Sequence, residues 1–137
     1  MGKQKLLQIG TVAKEANVNI QTIRYYERRN ILKPAQIKDS GYRLYTEDAI
    51  KTVSFIKHAQ ELGFKLDVIK QLLNLRTPSV NRCESVIKKS KTQLADVQGK
   101  IKMLKQIEKT LKKLIRDCEN NKTSSECMII RSLEVAT

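Results

Sequence analysis

The sequence predicts a mostly α-helical chain made of short N-terminal helices with one small hairpin, then one long helix and a short C-terminal segment. Three observations carry this. Up to Leu75 the apolar residues recur at helical spacing in short runs broken by turn residues. From Arg82 to Asn120 there is no Pro and only one Gly, Gly99, and Lys alternates densely with aliphatics. Four Tyr, two Phe and no Trp leave little material for a large globular core.

The first helix is marked by Ile9, Val12, Ala13 and Ala16. Asn17 follows, a residue type that tolerates the left-handed conformation of a tight turn. Asn19 is a good N-cap for a second helix, Ile20 to Arg29, whose inward residues are read as Ile20 and Ile23. Ile31 to Tyr45 carries Pro34, Asp39, Ser40 and Gly41 between short apolar stretches, the pattern of a small hairpin or wing. Thr46 is expected to cap a third helix, with Glu47 and Asp48 placed to meet its dipole. That helix runs through Val53, Phe55, Ile56 and Ala59 and stops at Gly63. A fourth covers Leu66 to Leu75, with Leu66, Ile69, Leu72 and Leu73 as its inner face. Thr77-Pro78-Ser79 reads as a linker, because Pro78 disfavours helix at the residue before it.

The long segment has apolar residues at 87, 94, 97, 101, 104, 107, 111 and 114, with Cys118 next. Most steps alternate three and four, a coiled-coil seam; the two three-residue steps around 104–107 overwind it locally. A helix of this length would extend roughly 57 Å. Nothing else in the chain is large enough to cover its apolar stripe, so a second copy is expected to do so. The expected organisation is 1–76 for a compact head, 77–81 for a linker, 82–120 for the dimerisation helix, and 121–137 for a loop with a short terminal helix.

Lys and Arg number 27 against 14 Asp and Glu, a net charge of +13. Residues 1–77 hold 14 basic and 7 acidic side chains and residues 78–137 hold 13 and 7, so the excess is not a basic tail. Nucleic acid is the commonest partner for such a chain, although a membrane surface or simple solubility would also fit the charge. No apolar run approaches bilayer length, and residues 1–10 lack the apolar core of a signal peptide. Three cysteines without an export signal suit a cytoplasmic protein with reduced thiols, and metal or redox chemistry more than a disulfide framework.

The second helix presents Asn19, Gln21, Thr22, Arg24, Tyr25 and Arg28 on a polar face. In a helix-turn-helix this element enters the major groove. Gln21 and Arg24 suit base edges; Thr22 and Tyr25 suit phosphates or a thymine methyl. A solvated face of an ordinary small helix would look similar when taken alone. The order of motifs adds information. Thr22-Ile23-Arg24-Tyr25-Tyr26-Glu27, then Leu32 and Pro34, then Gly41-Tyr42-Arg43-Leu44-Tyr45, resembles the start of the MerR family of transcription regulators. Phe55-Ile56 leading to Leu62-Gly63-Phe64 resembles it too, and the likeness extends from about Gln8 to the C-terminal cysteines. The resemblance implies a winged helix-turn-helix, with Arg43 and Tyr42 or Tyr45 of the wing on the phosphate backbone. It implies a homodimer joined by a long antiparallel helix. It also implies control of RNA polymerase, as activator or repressor, by untwisting promoter DNA whose two elements are too far apart; such deformation costs a few kcal/mol.

Cys83 and Cys118 are 35 residues apart, ten turns at 3.5 residues per turn, and so share one side of the long helix. Within one chain they would be about 52 Å apart. In an antiparallel pair the start of one helix lies beside the end of the other, and Cys83 would meet the partner's end. Cys127 follows Cys118 by nine residues, a loop long enough to fold back. The alternative is three buried, inert thiols. The spacing resembles that of the mercuric-ion sensors within the family, as do Phe55-Ile56-Lys57-His58-Ala59-Gln60 and Ile129-Ile130-Arg131-Ser132-Leu133. By that resemblance Cys83 comes from one protomer and Cys118 and Cys127 from the other, as ligands of Hg(II). Lead sensors share the cysteine spacing, so Pb(II) is the alternative, with cadmium behind it. Zinc favours four N/S ligands, and only water or Glu126 could complete its shell here. Three soft thiolates suit a soft cation, and Arg82, Lys88, Arg116 or Lys122 could balance the negative charge left over. His58, the only histidine, is read as a surface or interface residue. No phosphate-cradling glycine loop, nucleophile elbow or paired acid–base set is present, which argues against an enzyme. The Gln21, Arg24 and Arg43 surface argues against a metal buffer that ignores DNA.

Overall fold

A computed structural model describes residues 5–120 and 127–135. The chain forms two compact units, residues 1–89 and 90–137. In chain order the elements are β1 (Leu7–Gln8), α1 (Ile9–Glu15), α2 (Ile20–Arg28), β2 (Gln36–Ile37), β3 (Arg43–Tyr45), α3 (Asp48–Glu61), α4 (Leu66–Asn74), α5 (Arg82–Asn120) and α6 (Met128–Glu134). The mostly helical class, the helix-turn-helix, the wing and the long helix follow the sequence reading.

In the first unit, three helices end the same way. The chain leaves α1, α2 and α3 through a left-handed residue: Asn17 at φ 56°, Asn30 at 59° and Gly63 at 85°. In each case the next residue's amide reaches back across the turn. Val18 donates to the Ala13 carbonyl, Ile31 to that of Tyr26, and Phe64 to that of Ala59. This is the Schellman closure, which satisfies helix-end carbonyls that would otherwise lack partners. Asn and Gly are the residues that adopt the conformation at least cost. These stops hold α1 and α2 to a four-residue connection, 16–19, that swings the chain into the second helix.

The β structure is larger than the expected hairpin. Strand β3 pairs with β2 on one side and with β1 on the other, both antiparallel, with Leu7 opposite Tyr45 and Gln36 opposite Leu44. The β2–β3 turn closes through Gly41 at φ 86°, whose amide donates to the Lys38 carbonyl. The N-terminal strand thus ties the wing to the start of α1.

The core lies where α1, α2, α3 and α4 converge, around the fully buried Val12, Ile23, Val53, Ile56 and Ile69. Burying side chains of this size contributes about 1.5–3 kcal/mol each. Two aromatic residues join them: Tyr26 and Tyr45 have essentially no exposure, and each needs a partner for its hydroxyl. Tyr26 donates to Gln60 Oε1 at 2.8 Å. Tyr45 donates to Glu27 Oε1. Ile20, expected to face inward with Ile23, is 37% exposed, and the inward position one turn on from Ile23 belongs to Tyr26. Helix α3 starts at Asp48 rather than directly after Thr46, whose carbonyl still accepts from the Ala49 amide in the opening turn. Two longer tethers brace α3. Lys57 Nζ donates to the Asn17 carbonyl at 3.0 Å, and Arg76 binds Asp48 at 3.0 Å and Thr52 Oγ1 at 2.8 Å.

Helix α5 is 39 residues long and has no buried side chain. Leu94, Ile101, Leu104, Ile107 and Leu111 are each about half exposed or more. Ion pairs Asp96–Lys100 and Glu108–Lys112 brace its outer faces, each worth about 0.3–0.5 kcal/mol. Among the described residues no helix is long and apolar enough to cross a membrane.

Candidate functional site

The reading face of α2 is built from its N-cap outward. Asn19 is extended, and its Oδ1 accepts both the Thr22 amide at 2.8 Å and the Thr22 hydroxyl at 2.9 Å. Both residues are therefore engaged in starting the helix. Gln21, Arg24, Tyr25 and Arg28 are exposed beyond them. On the wing, Tyr42 and Arg43 are each half exposed. Between α2 and the hairpin runs a groove lined by Arg24, Glu27, Arg28, Lys33 and Arg43. Four cations and one carboxylate make it a strongly positive surface.

Tyr45 requires a correction. The resemblance offered it with Tyr42 as a phosphate ligand, but it has no exposed surface and its hydroxyl is spent on Glu27. Burial first, then the hydrogen bond to Glu27, pushes its pKa far above the ordinary tyrosine range, so it stays a neutral donor. It is a core residue with a polar tip. The residue missed in the sequence is Glu27 itself. Its other oxygen, Oε2, accepts from Arg43 Nε at 2.9 Å, and the carboxylate is only 10% exposed. A signal was available: Glu27 is the only acid in a helix that also carries Arg24 and Arg28.

The thiols divide between the two units. Cys83 is the second residue of α5 and is exposed. Cys118, near the end of α5, and Cys127, the N-cap of α6, are brought together with their sulfurs 3.8 Å apart. All three are free cysteines. The amide of Ile130 in the opening turn of α6 pulls the Cys127 pKa below the ordinary thiol range. Desolvation opposes it, and the Cys118 contact and the Ile129 amide add to the lowering. A thiolate there is favoured as an anion is at any helix N-terminus. Metal–sulfur bonds run near 2.3 Å for zinc, so two sulfurs on one ion lie no more than about 4.6 Å apart, and this pair fits that reach. Among the described residues no group of three His, Cys, Asp or Glu side chains forms a metal-holding cluster. Lys122 and Glu126, offered for charge balance and as an oxygen ligand, lie outside the described residues. Arg116 is exposed two residues before Cys118, Arg82 is exposed beside Cys83, and His58 is exposed on α3.

A helix-turn-helix with a three-stranded wing and a cationic reading face defines a winged helix-turn-helix regulator. Residues 7–75 match the family described as "MerR HTH family regulatory protein", and residues 50–114 match "MerR, DNA binding". The mercuric resistance operon regulatory protein of Bacillus cereus is 37% identical over 92% of this chain and 96% of its own length. The lead(II) complex of the transcription regulator PbrR691 from Ralstonia metallidurans CH34 is 36% identical. It superposes with a TM-score of 0.79 over 93% of this chain and 98% of its own. The mercury(II) complex of the dual function transcriptional regulator MerR from Bacillus megaterium MB1 is 37% identical, with a TM-score of 0.70 over 94% and 100%. The chain belongs to the MerR family of transcription regulators, and it is not an enzyme.

Proposed function

We propose that this protein is a homodimeric, metal-responsive transcription regulator whose effector is mercuric ion. The observation that carries the reading is the Cys118–Cys127 pair at 3.8 Å, with Cys127 biased toward thiolate by the first turn of α6. Two sulfurs form an incomplete site for a trigonal soft cation. Cys83, exposed at the head of α5, is the third ligand, contributed by a second copy laid antiparallel along the apolar stripe of α5. That stripe is too exposed for a helix of this length to stand alone in water. The similarity to a mercuric resistance regulator and to a mercury(II)-bound regulator supports mercury; the similarity to a lead(II)-bound regulator keeps lead as the second reading.

In this reading the polypeptide has three tasks. Gln21, Arg24 and Arg28 face promoter DNA in the major groove, with Asn19, Thr22 and Tyr25 at its edge. Tyr42 and Arg43 of the wing hold phosphate. The thiols hold the effector at each end of the dimer, where three sulfurs supply a charge and softness that harder cations do not match. A shift at that joint turns one DNA grip against the other and thereby alters the promoter that RNA polymerase meets.

The test is a titration of reduced protein in millimolar competing thiol, read by ultraviolet sulfur-to-metal charge transfer and by transcription from an operator-bearing template. Near-stoichiometric response to Hg(II), with little response to Zn(II) or Cd(II), is expected. A response to Pb(II) at lower concentration than Hg(II) selects the second reading. Cys83→Ala and Cys118→Ala/Cys127→Ala homodimers should each fail to bind, while the mixed heterodimer recovers one site. If demonstrable heterodimers recover none, the shared site is wrong.

A further inference from the structure

Glu27 is an anion on the helix that reads a polyanion, which on charge alone should weaken DNA binding. It is held nonetheless in a two-sided contact. One oxygen accepts the hydroxyl of the buried Tyr45, and the other accepts Arg43 Nε at 2.9 Å. Tyr45 is anchored in the core, and its backbone lies in β3 two residues beyond Arg43 in the wing. Glu27 therefore ties the recognition helix to the wing strand and fixes Arg43 against both. A guanidinium has five N–H donors in one plane. Engaging the Nε edge fixes that plane and leaves the terminal nitrogens for a phosphate, in the fork geometry that suits bidentate binding.

We propose that Glu27 is the positioning residue for DNA binding in this protein: it orients Arg43 toward the phosphate backbone. The inference rests on the proposed Arg43–phosphate contact. Its cost is one negative charge in a groove of cations, Arg24, Arg28 and Lys33 among them. The charge effect and the positioning effect have opposite signs, which makes the two separable. Glutamine at this position keeps an acceptor oxygen for Arg43 Nε–H and offers the Tyr45 oxygen an N–H in place of the second acceptor, so a neutral hydrogen bond replaces the charge-assisted one that holds Arg43.

The experiment uses the full-length protein, a duplex selected by the wild-type protein from a random pool, and a shuffled duplex of the same composition. Glu27→Gln should weaken binding to the selected duplex by up to roughly tenfold, the scale of trading a charge-assisted hydrogen bond for a neutral one. Binding to the shuffled duplex should weaken as well, because a phosphate contact carries no sequence information. The slope of log affinity against log salt on the selected duplex should fall by about one, as it should for Arg43→Ala. In the Arg43→Ala background, Glu27→Gln should cost nothing further, because it acts through that arginine. Equal or tighter binding of Glu27→Gln to the selected duplex, or additive losses in the double variant, overturns the proposal. Should Glu27→Gln fail to fold, Tyr45→Phe reads the same device. It should weaken selected-duplex binding and be silent in the Arg43→Ala background, and an equal loss there overturns the proposal as well. Arg43→Ala with undiminished binding instead removes the phosphate contact on which the inference stands.

Discussion

The first unit hides Val12, Ile23, Val53, Ile56 and Ile69 completely, whereas α5 buries no side chain and leaves Leu94, Leu104 and Leu111 more than half exposed. Both regions use the same aliphatic residue types at helical spacing. In the first, short helices with tight stops fold those residues onto one another. In α5 the absence of any stop over 39 residues keeps them on one uninterrupted rod. On the proposed dimer, stability is a property of the chain in one region and of an assembly in the other, and a different measurement reads each.

The largest effect is expected in the packed region. Ile56→Ala should lower unfolding free energy by about 2–5 kcal/mol, through lost burial and the cavity left behind. Thermal melting of the first unit at fixed protein concentration reads it. A loss under 1 kcal/mol would erase the contrast by showing that this core can collapse around the gap. Next, wild-type melting should shift upward with protein concentration, because a dimer is stabilised by mass action. Leu104→Lys should abolish that shift while leaving the first unit's signal in place, at a cost of about 1.5–3 kcal/mol of burial per protomer. Concentration-independent melting of the wild-type chain would mean that α5 has no partner of its own kind.

Smaller effects sharpen the boundary. Arg76 joins the end of α4 to Asp48 and Thr52 of α3, and the ion pair is partly exposed. Arg76→Ala should cost only about 0.5–1 kcal/mol. Chemical denaturation should detect that as a lower midpoint with unchanged slope. The smallest is a titration. Because the Cys127 pKa is depressed, its thiolate persists to lower pH than that of an unstructured cysteine. Any stability it contributes is present above the unfolded-state pKa and is lost as pH falls through the folded value. Alkylation of the Cys127 peptide, followed by mass spectrometry across pH, should have its midpoint below that of N-acetylcysteine. Cys118→Ala should raise the midpoint part of the way back, since the Ile130 amide is the larger cause. A midpoint at or above the free thiol would contradict the α6 cap.

What was legible in the sequence follows the same division. Local chemistry gave itself away: Asn17 and Gly63 announced their stops, Asn19 its cap, and Gly41 the wing turn. The Pro-free, Gly-poor run from Arg82 pointed to one long helix, and α5 spans Arg82–Asn120. Nonlocal pairing did not show. Strand β1 has two residues, too few to display a period, and its existence depends on β3 nearly forty residues later. Tyr45 looked like a surface aromatic beside Arg43, because alternation in a three-residue strand cannot tell which face is covered. Glu27 was invisible as a tie because its partners, Arg43 and Tyr45, come from the wing. Cys127 was near enough in sequence to Cys118 for a fold-back to be foreseen, and their sulfurs do meet.

The paired asparagine stops around α2 have a bearing on change over time. Asn17 and Asn30 end α1 and α2 through backbone hydrogen bonds, and the Asn19 side chain, with Thr22, starts α2 between them. Residues 21, 24, 25 and 28 can then be exchanged without shifting the frame that presents them, provided Asn19, Thr22, Ile23, Tyr26 and Glu27 stay. The recognition helix is in this sense a cassette. If α2 reads the operator as proposed, new operator preferences can be installed in it one outward residue at a time, by selection or by an engineer, while the rest of the protein remains as it is.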